Sequence, residues 1–208
     1  MRPGGRTSLT VQGEIFAHML EHWGLLRPAV LAQDVGGAVT LRAHFPHGCE
    51  YARLILANVV AVRPWGSAFF DHVGKHVEAF QRLPPHIHGA IVKVYIKGAL
   101  VKMLEDDDLE QLIQPWLSQA GSHSFYQQLA QADERYTEEI ERAYDKVRCP
   151  VHLVWGDRDP WIPLEGGKQL HGLIPRATFE TIPDAGQMPQ LETLETFLEQ
   201  LKFLLNAQ

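Results

Sequence analysis

At residues 30–38 the chain reads Val30-Leu31-Ala32-Gln33-Asp34-Val35-Gly36-Gly37-Ala38, an apolar run that leads into a turn with one acidic residue at its apex. A side chain at such a turn stands at the end of a strand and in front of a helix N-terminus, which is the geometry of a nucleophile elbow. The group displayed here is the Asp34 carboxylate and not a hydroxyl or a thiol. The stretch therefore predicts a strand–turn–helix unit of an α/β protein that presents a carboxylate.

The composition and charge limit the class of protein. With 208 residues, 45% of them hydrophobic, the chain has enough apolar material for one sizeable core. A net charge of -6, with Lys and Arg scattered along the chain, argues against nucleic-acid binding. Cys49 and Cys149 lie far apart without CxxC spacing, so neither a disulfide framework nor a zinc site is indicated.

Targeting signals are absent from the printed sequence. The N-terminal segment Met1–Arg6 carries charge but is not followed by an apolar segment, as a signal peptide would be. No apolar run is long enough to span a membrane. We therefore expect a cytoplasmic protein without membrane partners.

Hydrophobic periodicity divides the chain into two α/β parts around a helical part. The pattern predicts helices over Val11–Trp23 and Ala38–Phe45 and strands over Ala29–Gln33 and Leu54–Ala57, a β-α-β arrangement that implies parallel strands. Residues 65–145 have helical periodicity without a convincing strand. The alternation then resumes with a strand over Val151–Trp155, a helix over Leu164–Leu173, a strand over Thr178–Ile182 and a final helix carrying Leu194, Leu198, Leu201 and Leu205 on one face. We predict core parts at 1–64 and 146–208 and a helical cap at 65–145.

Four segments, in this order, resemble the α/β-hydrolase fold: the elbow Gln33–Gly37, the helical part 65–145, the loop Gly156–Pro160 and the loop Ala185–Gln187. The aspartate at the elbow is similar to the aspartate-nucleophile branch of that fold, which includes haloalkane dehalogenases and epoxide hydrolases. The resemblance implies a mostly parallel sheet flanked by helices, with a helical cap insertion. It also implies a cofactor-free hydrolase with a small organic substrate held between sheet and cap.

The resemblance further implies strands ahead of the first helix, with a His-Gly loop that supplies an oxyanion-hole amide. The printed sequence starts just before that helix, so we expect a partial α/β-hydrolase fold whose elbow strand presents an unpaired apolar edge. Such an edge predicts a homodimer, strand swapping or poor solubility. A truncated, inactive fragment stays open as an alternative.

The resemblance assigns a chemical role to four residues. Asp34 would attack a saturated carbon and form an alkyl-enzyme ester, a step that needs no base. The backbone amide of Val35 would stabilise the developing oxyanion. Asp159 matches the acid of the family, whereas Gln187 stands where the family has its histidine, and an amide cannot take a proton from water near neutral pH. We therefore expect impaired turnover of the ester.

Five further side chains are candidates for substrate binding: Gln33, Asn58, Trp65, Tyr126 and Tyr136. Gln33 precedes the nucleophile position, and Asn58 and Trp65 follow the second strand. Members of the branch often place a tryptophan directly after the aspartate and tyrosines in the cap, and Val35 departs from the first of these patterns. Ordinary packing of the aromatic residues is the competing interpretation.

Simpler interpretations stand beside each functional one. An acid before Gly-Gly is often a helix N-cap, and Asp159 before Pro160 is typical of a turn. The pairs His18/His22 and His72/His76 have the spacing of metal ligands on a helix, but no acid or cysteine accompanies them, so we expect no metal site. A non-catalytic relative that binds a ligand or a partner in the same pocket is the alternative to a hydrolase.

Overall fold

Four parallel strands form the single sheet of the part of the chain that the computed structural model describes, residues 8–205. The strands are β1 (Ala29–Asp34), β2 (Arg53–Val59), β3 (Val151–Gly156) and β4 (Thr178–Ile182), in the order β1-β2-β3-β4. The strands β2 and β3 lie in the centre and are almost wholly buried, as expected for apolar runs covered on both faces. Their register sets Ala32, Leu56, Leu153 and Phe179 side by side across the sheet.

Helices cover the sheet and fill the connection between its second and third strands. They are α1 (Leu9–His22), α2 (Val35–His44), α3 (Ala68–Lys75), α4 (Val77–Gln81), α5 (Pro85–Lys97), α6 (Asp106–Ile113), α7 (Gln119–Ala130), α8 (Arg135–Glu141), α9 (Leu164–Leu173), α10 (Pro189–Glu192) and α11 (Leu194–Leu205). Short 3-10 turns at Gln114–Trp116 and Tyr144–Lys146 complete the connection. The N-terminal segment Met1–Arg6, which we do not expect to be part of a signal peptide, lies outside the described residues. No described helix is both long and apolar enough to cross a membrane.

The stretch from α3 to α8 contains helices and no strand, and we call it the insert. The insert has a hydrophobic core of its own, separate from the core around the sheet. That core consists of Val73, Val92, Ile96, Leu109, Ile113, Phe125, Tyr126 and Leu129. The separation agrees with the helical periodicity of this part of the sequence, and its role as a cap over a pocket stays a prediction.

Most elements lie where the sequence predicts them. The helix Leu164–Leu173 and the strand Thr178–Ile182 have the expected bounds, and α1 differs from its expected range by two residues at its start. The helix α2 is the exception, because it begins at Val35 and not at Ala38. The glycines of this segment explain the difference: a Cβ atom on Gly37 would stand 2.4 Å from the Cβ of Val59, so the helix approaches β2 closely only because residue 37 has no side chain.

The strand β1 pairs with β2 alone within the described residues. Its Leu31 is 41% exposed, and Trp23 and Leu26, which precede the strand, are exposed as well. This apolar edge matches the expected edge of the elbow strand. A homodimer through this edge stays a prediction.

Candidate active site

The backbone at Asp34 makes a sharp turn between β1 and α2. Asp34 has φ 50° and ψ −132°, a combination that is sparsely populated for residues with a side chain. A register shift between Gln33 and Asp34 opposes Asp34 to Val59, and the carbonyl of Asp34 accepts a hydrogen bond of 3.0 Å from the amide of Val60. The turn is thus held by β2 on one side and by the close packing of α2 on the other.

The carboxylate of Asp34 is half-buried and stands without an ion-pair partner among the residues described. Its pKa is raised to about 6, mainly by burial and also by the charge of Asp159, although a hydrogen bond from the Val35 amide opposes the rise. The value still leaves most of the carboxylate ionised at neutral pH. Apart from this bond to the first residue of α2, its side chain makes no capping bond to the helix, so Asp34 does not serve as an ordinary N-cap.

Asp159 is buried in the loop after β3 and is surrounded by hydrogen-bond donors. One oxygen accepts from the amides of Trp161 (2.8 Å) and Ile162 (3.0 Å), and the other accepts from the Asn58 side chain (2.6 Å). Burial raises the pKa of Asp159 more than these donors lower it. Both oxygens are therefore engaged within the protein.

Gln187 is 1% exposed and lies in the loop after β4. Its side-chain nitrogen donates to the backbone carbonyl of Asn58 (3.0 Å), and its own amide donates to the carbonyl of Ala99 in the insert (2.9 Å). Because the Asn58 carbonyl requires a donor, the amide group of Gln187 can take only one orientation. Its Oε1 is then buried without a hydrogen-bond partner in the described part of the chain.

Asn58 connects the acid loop to the Gln187 loop. This fully buried residue has a positive φ of 46° at the end of β2. Its Nδ2 donates to Asp159 and, at 3.4 Å, to the carbonyl of Gly186, and its Oδ1 accepts from the amide of Gly156 (3.2 Å). Every polar group of the side chain is thus bonded inside the protein, and a contact of Asn58 with a substrate stays a prediction.

Gln33 also has a structural role at this edge of the sheet. Its side-chain nitrogen Nε2 donates to the backbone carbonyl of Gln187 (2.6 Å). The side chains of Gln33 and Gln190 also donate one hydrogen bond to each other in each direction. These contacts join the residue before Asp34 to the loop that carries Gln187. The structure therefore brings Gln33, Asp34, Asn58, Asp159 and Gln187 together at the carboxyl ends of the strands.

The remaining three predicted residues do not join this group. Tyr126 is fully buried in the core of the insert, where its hydroxyl pairs with Nδ1 of His88 at 3.0 Å. Trp65 donates from its indole nitrogen to Thr137 (2.9 Å), and Tyr136 packs under the guanidinium of Arg42 at 5.7 Å. A substrate-binding role of Tyr126 stays a prediction.

Two cavities of moderate size lie away from Asp34. Trp65 contributes to an open cavity of about 520 Å³ with Ser67, Phe70, Asp71 and residues 132–134. The other, of about 440 Å³, lies between α1 and the segment 47–50. Neither cavity includes Asp34, so the elbow and the open surface cavities are separate features.

A tyrosine that the sequence analysis did not select lies near the elbow. The charge of Asp34, after burial, raises the pKa of Tyr95, which places the phenol of this half-buried residue within electrostatic range of the carboxylate. The Tyr95 ring lies 4.6 Å from that of Trp161, directly after the acid loop. In the sequence Tyr95 reads only as one more apolar position of α5, because its approach to Asp34 depends on how the insert packs on the sheet.

Metal-ligand clusters are not found in the described residues: no three His, Cys, Asp or Glu side chains are placed to hold an ion. The rings of His72 and His76 lie edge to face, with centroids 4.9 Å apart. His76 lies at the junction of α3 and α4, where its backbone amide completes the end of α3. The pair has no acidic companion there.

Comparisons with known proteins agree with this architecture. The model of the family described as the alpha/beta hydrolase family matches residues 7–200. An alpha/beta hydrolase fold protein from Burkholderia ambifaria has a crystal structure with a TM-score of 0.92 and 41% identity, over 97% of this chain and 74% of that chain. An esterase from Thermogutta terrifontis shares the fold with a TM-score of 0.76 at 21% identity, over 97% of this chain and 73% of that chain.

A curated relative is also similar over most of the chain. The (R)-3-hydroxydecanoyl-ACP:CoA transacylase of Ectopseudomonas oleovorans is 27% identical over 204 residues, which cover 92% of this chain. The chain spans 64% of the length of that protein. With its parallel sheet, its strained turn after β1 and its match to the family model over nearly its whole length, the chain belongs to the α/β-hydrolase family.

Proposed function

We propose that the chain is a hydrolase whose nucleophile is the carboxylate of Asp34. Its substrates are small organic molecules with an electrophilic carbon, of the alkyl halide, epoxide or ester-like type. The observation that carries the proposal is the strained backbone of Asp34, with φ 50° and ψ −132°, at a turn where its side chain caps nothing. Such strain costs on the order of 1–3 kcal/mol and is found mainly at functional positions.

The first step needs only Asp34 and the substrate. A carboxylate oxygen attacks the electrophilic carbon of an alkyl halide or epoxide and forms an ester bond, while the carbon–halogen or carbon–oxygen bond breaks and its electron pair stays with the halide or the ring oxygen. With a carboxylic ester the same attack forms a mixed anhydride, and the alkoxide or phenoxide leaves with the electron pair. With a pKa of about 6, Asp34 is ionised at neutral pH, and its desolvated carboxylate is not neutralised by a nearby cation. A free, negatively charged oxygen is the form that this attack requires.

The second step, hydrolysis of the ester, is expected to be slow. Water must attack the carboxyl carbon of Asp34, where the amide of Val35 would stabilise the oxyanion, and a base would normally remove a proton from that water. Gln187 cannot act as this base, and Asp159 already accepts three hydrogen bonds. The loss of general-base assistance slows hydrolysis by about 10²–10⁴-fold, so the ester accumulates on Asp34.

Tyr95 favours substrates whose leaving atom is oxygen. Burial and the Asp34 charge keep its phenol protonated across the ordinary pH range, and it lies within electrostatic range of the reacting carboxylate. Val35 stands where a halide-binding tryptophan would be expected, whereas a neutral phenol can donate a hydrogen bond to an oxygen that leaves. The names of two similar proteins, an esterase and a transacylase, are consistent with ester-like compounds.

A second function, ligand binding without turnover, is favoured by one observation. The side chains at the acid and histidine positions are tied into the protein: Asp159 and Gln187 both bond to Asn58. Such a network stabilises a loop and has no free proton acceptor. A non-catalytic relative would keep the elbow geometry and use the same surroundings to hold a small molecule.

A mass-spectrometric experiment separates the two functions. The protein is incubated with an alkyl bromide, an epoxide and a phenyl ester, and intact mass and peptide mapping locate any adduct. We expect an adduct on Asp34 in the wild type and in the control Asp157→Asn, which removes an exposed acid of the nearby loop, and none in Asp34→Asn. An adduct on another residue, or neither adduct nor turnover, contradicts the nucleophile role, and the second outcome supports ligand binding.

A further inference from the structure

The carboxylate of Glu192, at the end of α10, accepts hydrogen bonds from three backbone amides. Its Oε1 accepts from Val101 (2.6 Å) and Lys102 (2.8 Å), which belong to the insert between α5 and α6. Its Oε2 accepts from Gly186 (2.8 Å), next to Gln187. One side chain thus joins the backbone of the insert to the backbone of the Gln187 loop.

The two segments joined by Glu192 are also in direct contact. The amide of Gln187 donates to the carbonyl of Ala99, and a Cβ atom on Gly186 would stand 2.7 Å from that carbonyl and 3.0 Å from Oε2 of Glu192. The loop can approach the insert this closely only because residue 186 is glycine. The contact is a joint in which the position of one backbone determines that of the other.

The same short helix is tied to the elbow strand. Gln190 exchanges two hydrogen bonds with Gln33, the residue before Asp34. The helix α10 therefore links β1 to segment 99–102 of the insert. That segment directly follows the end of α5, the helix that carries Tyr95.

We propose that Glu192 is a positioning residue, which fixes segment 99–102 against the Gln187 loop and so sets the insert relative to the strand that carries Asp34. The inference rests on the proposed function of Asp34. It requires a carboxylate, because three amides donate to two oxygens. A glutamine keeps the volume of the side chain but offers only one acceptor atom. In either orientation its NH₂ group points at backbone N–H donors, those of the two insert amides or that of Gly186, and cannot bond to them.

Hydrogen exchange tests the joint without any substrate. Glu192→Gln is compared with the wild type and with Glu180→Gln, a matched change at an exposed position of β4. We expect amide exchange in segments 99–104 and 185–188 to become roughly tenfold to a hundredfold faster in Glu192→Gln, as for the loss of a hydrogen bond to a charged group. The helix α9 should keep its protection. Exchange equal to that of the control overturns the proposal.

Gly186→Ala tests the same joint from the opposite side. Its methyl group would collide with the Ala99 carbonyl and the Glu192 carboxylate, so it should speed exchange in the same two segments while every side chain of the joint is retained. If Gly186→Ala and Glu192→Gln affect different segments, the joint does not act as one unit and the proposal is contradicted.

The reaction of Asp34 with an epoxide gives the functional test. We expect Glu192→Gln to lower the maximal rate of adduct formation by about tenfold or more, as for a misplaced group, with little change in the half-saturating concentration. An unchanged maximal rate contradicts the positioning role. If the wild type forms no adduct, the proposed function fails, whereas the exchange comparison still decides whether Glu192 holds the joint.

Discussion

The elbow and the acid–glutamine network occupy the same edge of the sheet but differ in how their polar groups are used. Asp34 has a strained backbone, a pKa raised to about 6 and no ion-pair partner among the residues described. Asp159, Asn58 and Gln187 are instead tied to each other and to nearby backbone groups. Under the proposed function, the elbow is the region of the first chemical step and stays reactive, whereas the acid–glutamine network is the region of the second step and is tied up in hydrogen bonds.

The largest change in a reaction rate should come from restoring a base to the acid–glutamine network. Gln187→His should speed hydrolysis of an Asp34 ester by up to about 10²–10⁴-fold, because a neutral imidazole can accept the proton of the attacking water. Formation of the ester should change little, since that step needs no base. Single-turnover kinetics with peptide mapping separates the two rates.

A partial result would sharpen the comparison. Asn58 already occupies one oxygen of Asp159 at 2.6 Å, so the new histidine competes with Asn58 for its orienting acid. Gln169→His, at an exposed position of α9, is the matched control and should not speed hydrolysis. If Gln187→His leaves hydrolysis unchanged while the ester still forms, the missing histidine does not account for the slow second step.

The next effect concerns the stability of the network. Asn58→Ala removes a donor from the buried Asp159 and an acceptor from the Gly156 amide, so we expect the free energy of unfolding to fall by about 2–4 kcal/mol. Urea unfolding measures the change. Gln128→Ala, which shortens an exposed amide side chain on α7, should change it by less than about 0.5 kcal/mol. A loss as small as that of the control would show that Asn58 does not hold the network.

At the elbow, in contrast, we expect a substitution to raise the free energy of unfolding. The folded pKa of Asp34, about 6, lies above its value of 3.8 in an unfolded chain, so the folded state holds this proton more tightly and the Asp34 contribution to stability falls as pH rises from about 4 to 6. Asp34→Asn removes the buried charge and should raise the free energy of unfolding by about 2 kcal/mol at pH 7 and by much less at pH 4.

Thermal or urea unfolding at the two pH values checks this sign. Asp157→Asn, at an exposed position, serves as the control. A destabilised Asp34→Asn at pH 7 would mean that the carboxylate stabilises the elbow as an ordinary cap does. In that case the contrast between a strained elbow and a stable network fails.

The sequence predicts the strands and the position of Asp34, but it does not predict the contacts between distant residues. The positions of β1 to β4 follow from short apolar runs, and Asp34 stands out because a single acid interrupts an apolar strand before two glycines. The bond between Asn58 and Asp159 joins residues 101 positions apart, and no local pattern encodes such a pairing. The sequence does not reveal Tyr95 and Glu192 for the same reason, because their proposed roles depend on how the insert packs on the sheet.

The aromatic residues show what a resemblance leaves open. Tyr126 matches a cap tyrosine of the family in the sequence, and in the structure it occupies a buried position on α7 and pairs with His88. Periodicity identifies the buried face of a helix, but it does not tell which partly exposed residue will approach the elbow. Tyr95 meets that condition because it lies on α5 near the joint with the Gln187 loop.

The most direct test of the central claim follows the oxygen atoms through one turnover. Protein in excess over an epoxide or alkyl bromide is incubated in H₂¹⁸O, so that each protein molecule reacts at most once. If the wild-type ester breaks down too slowly, the Gln187→His variant is used in its place. If Asp34 is the nucleophile, the product takes its new oxygen from the Asp34 carboxylate, and Asp34 gains one ¹⁸O from water. The account predicts unlabelled product and a labelled Asp34 peptide. Labelled product with an unlabelled Asp34 would contradict it.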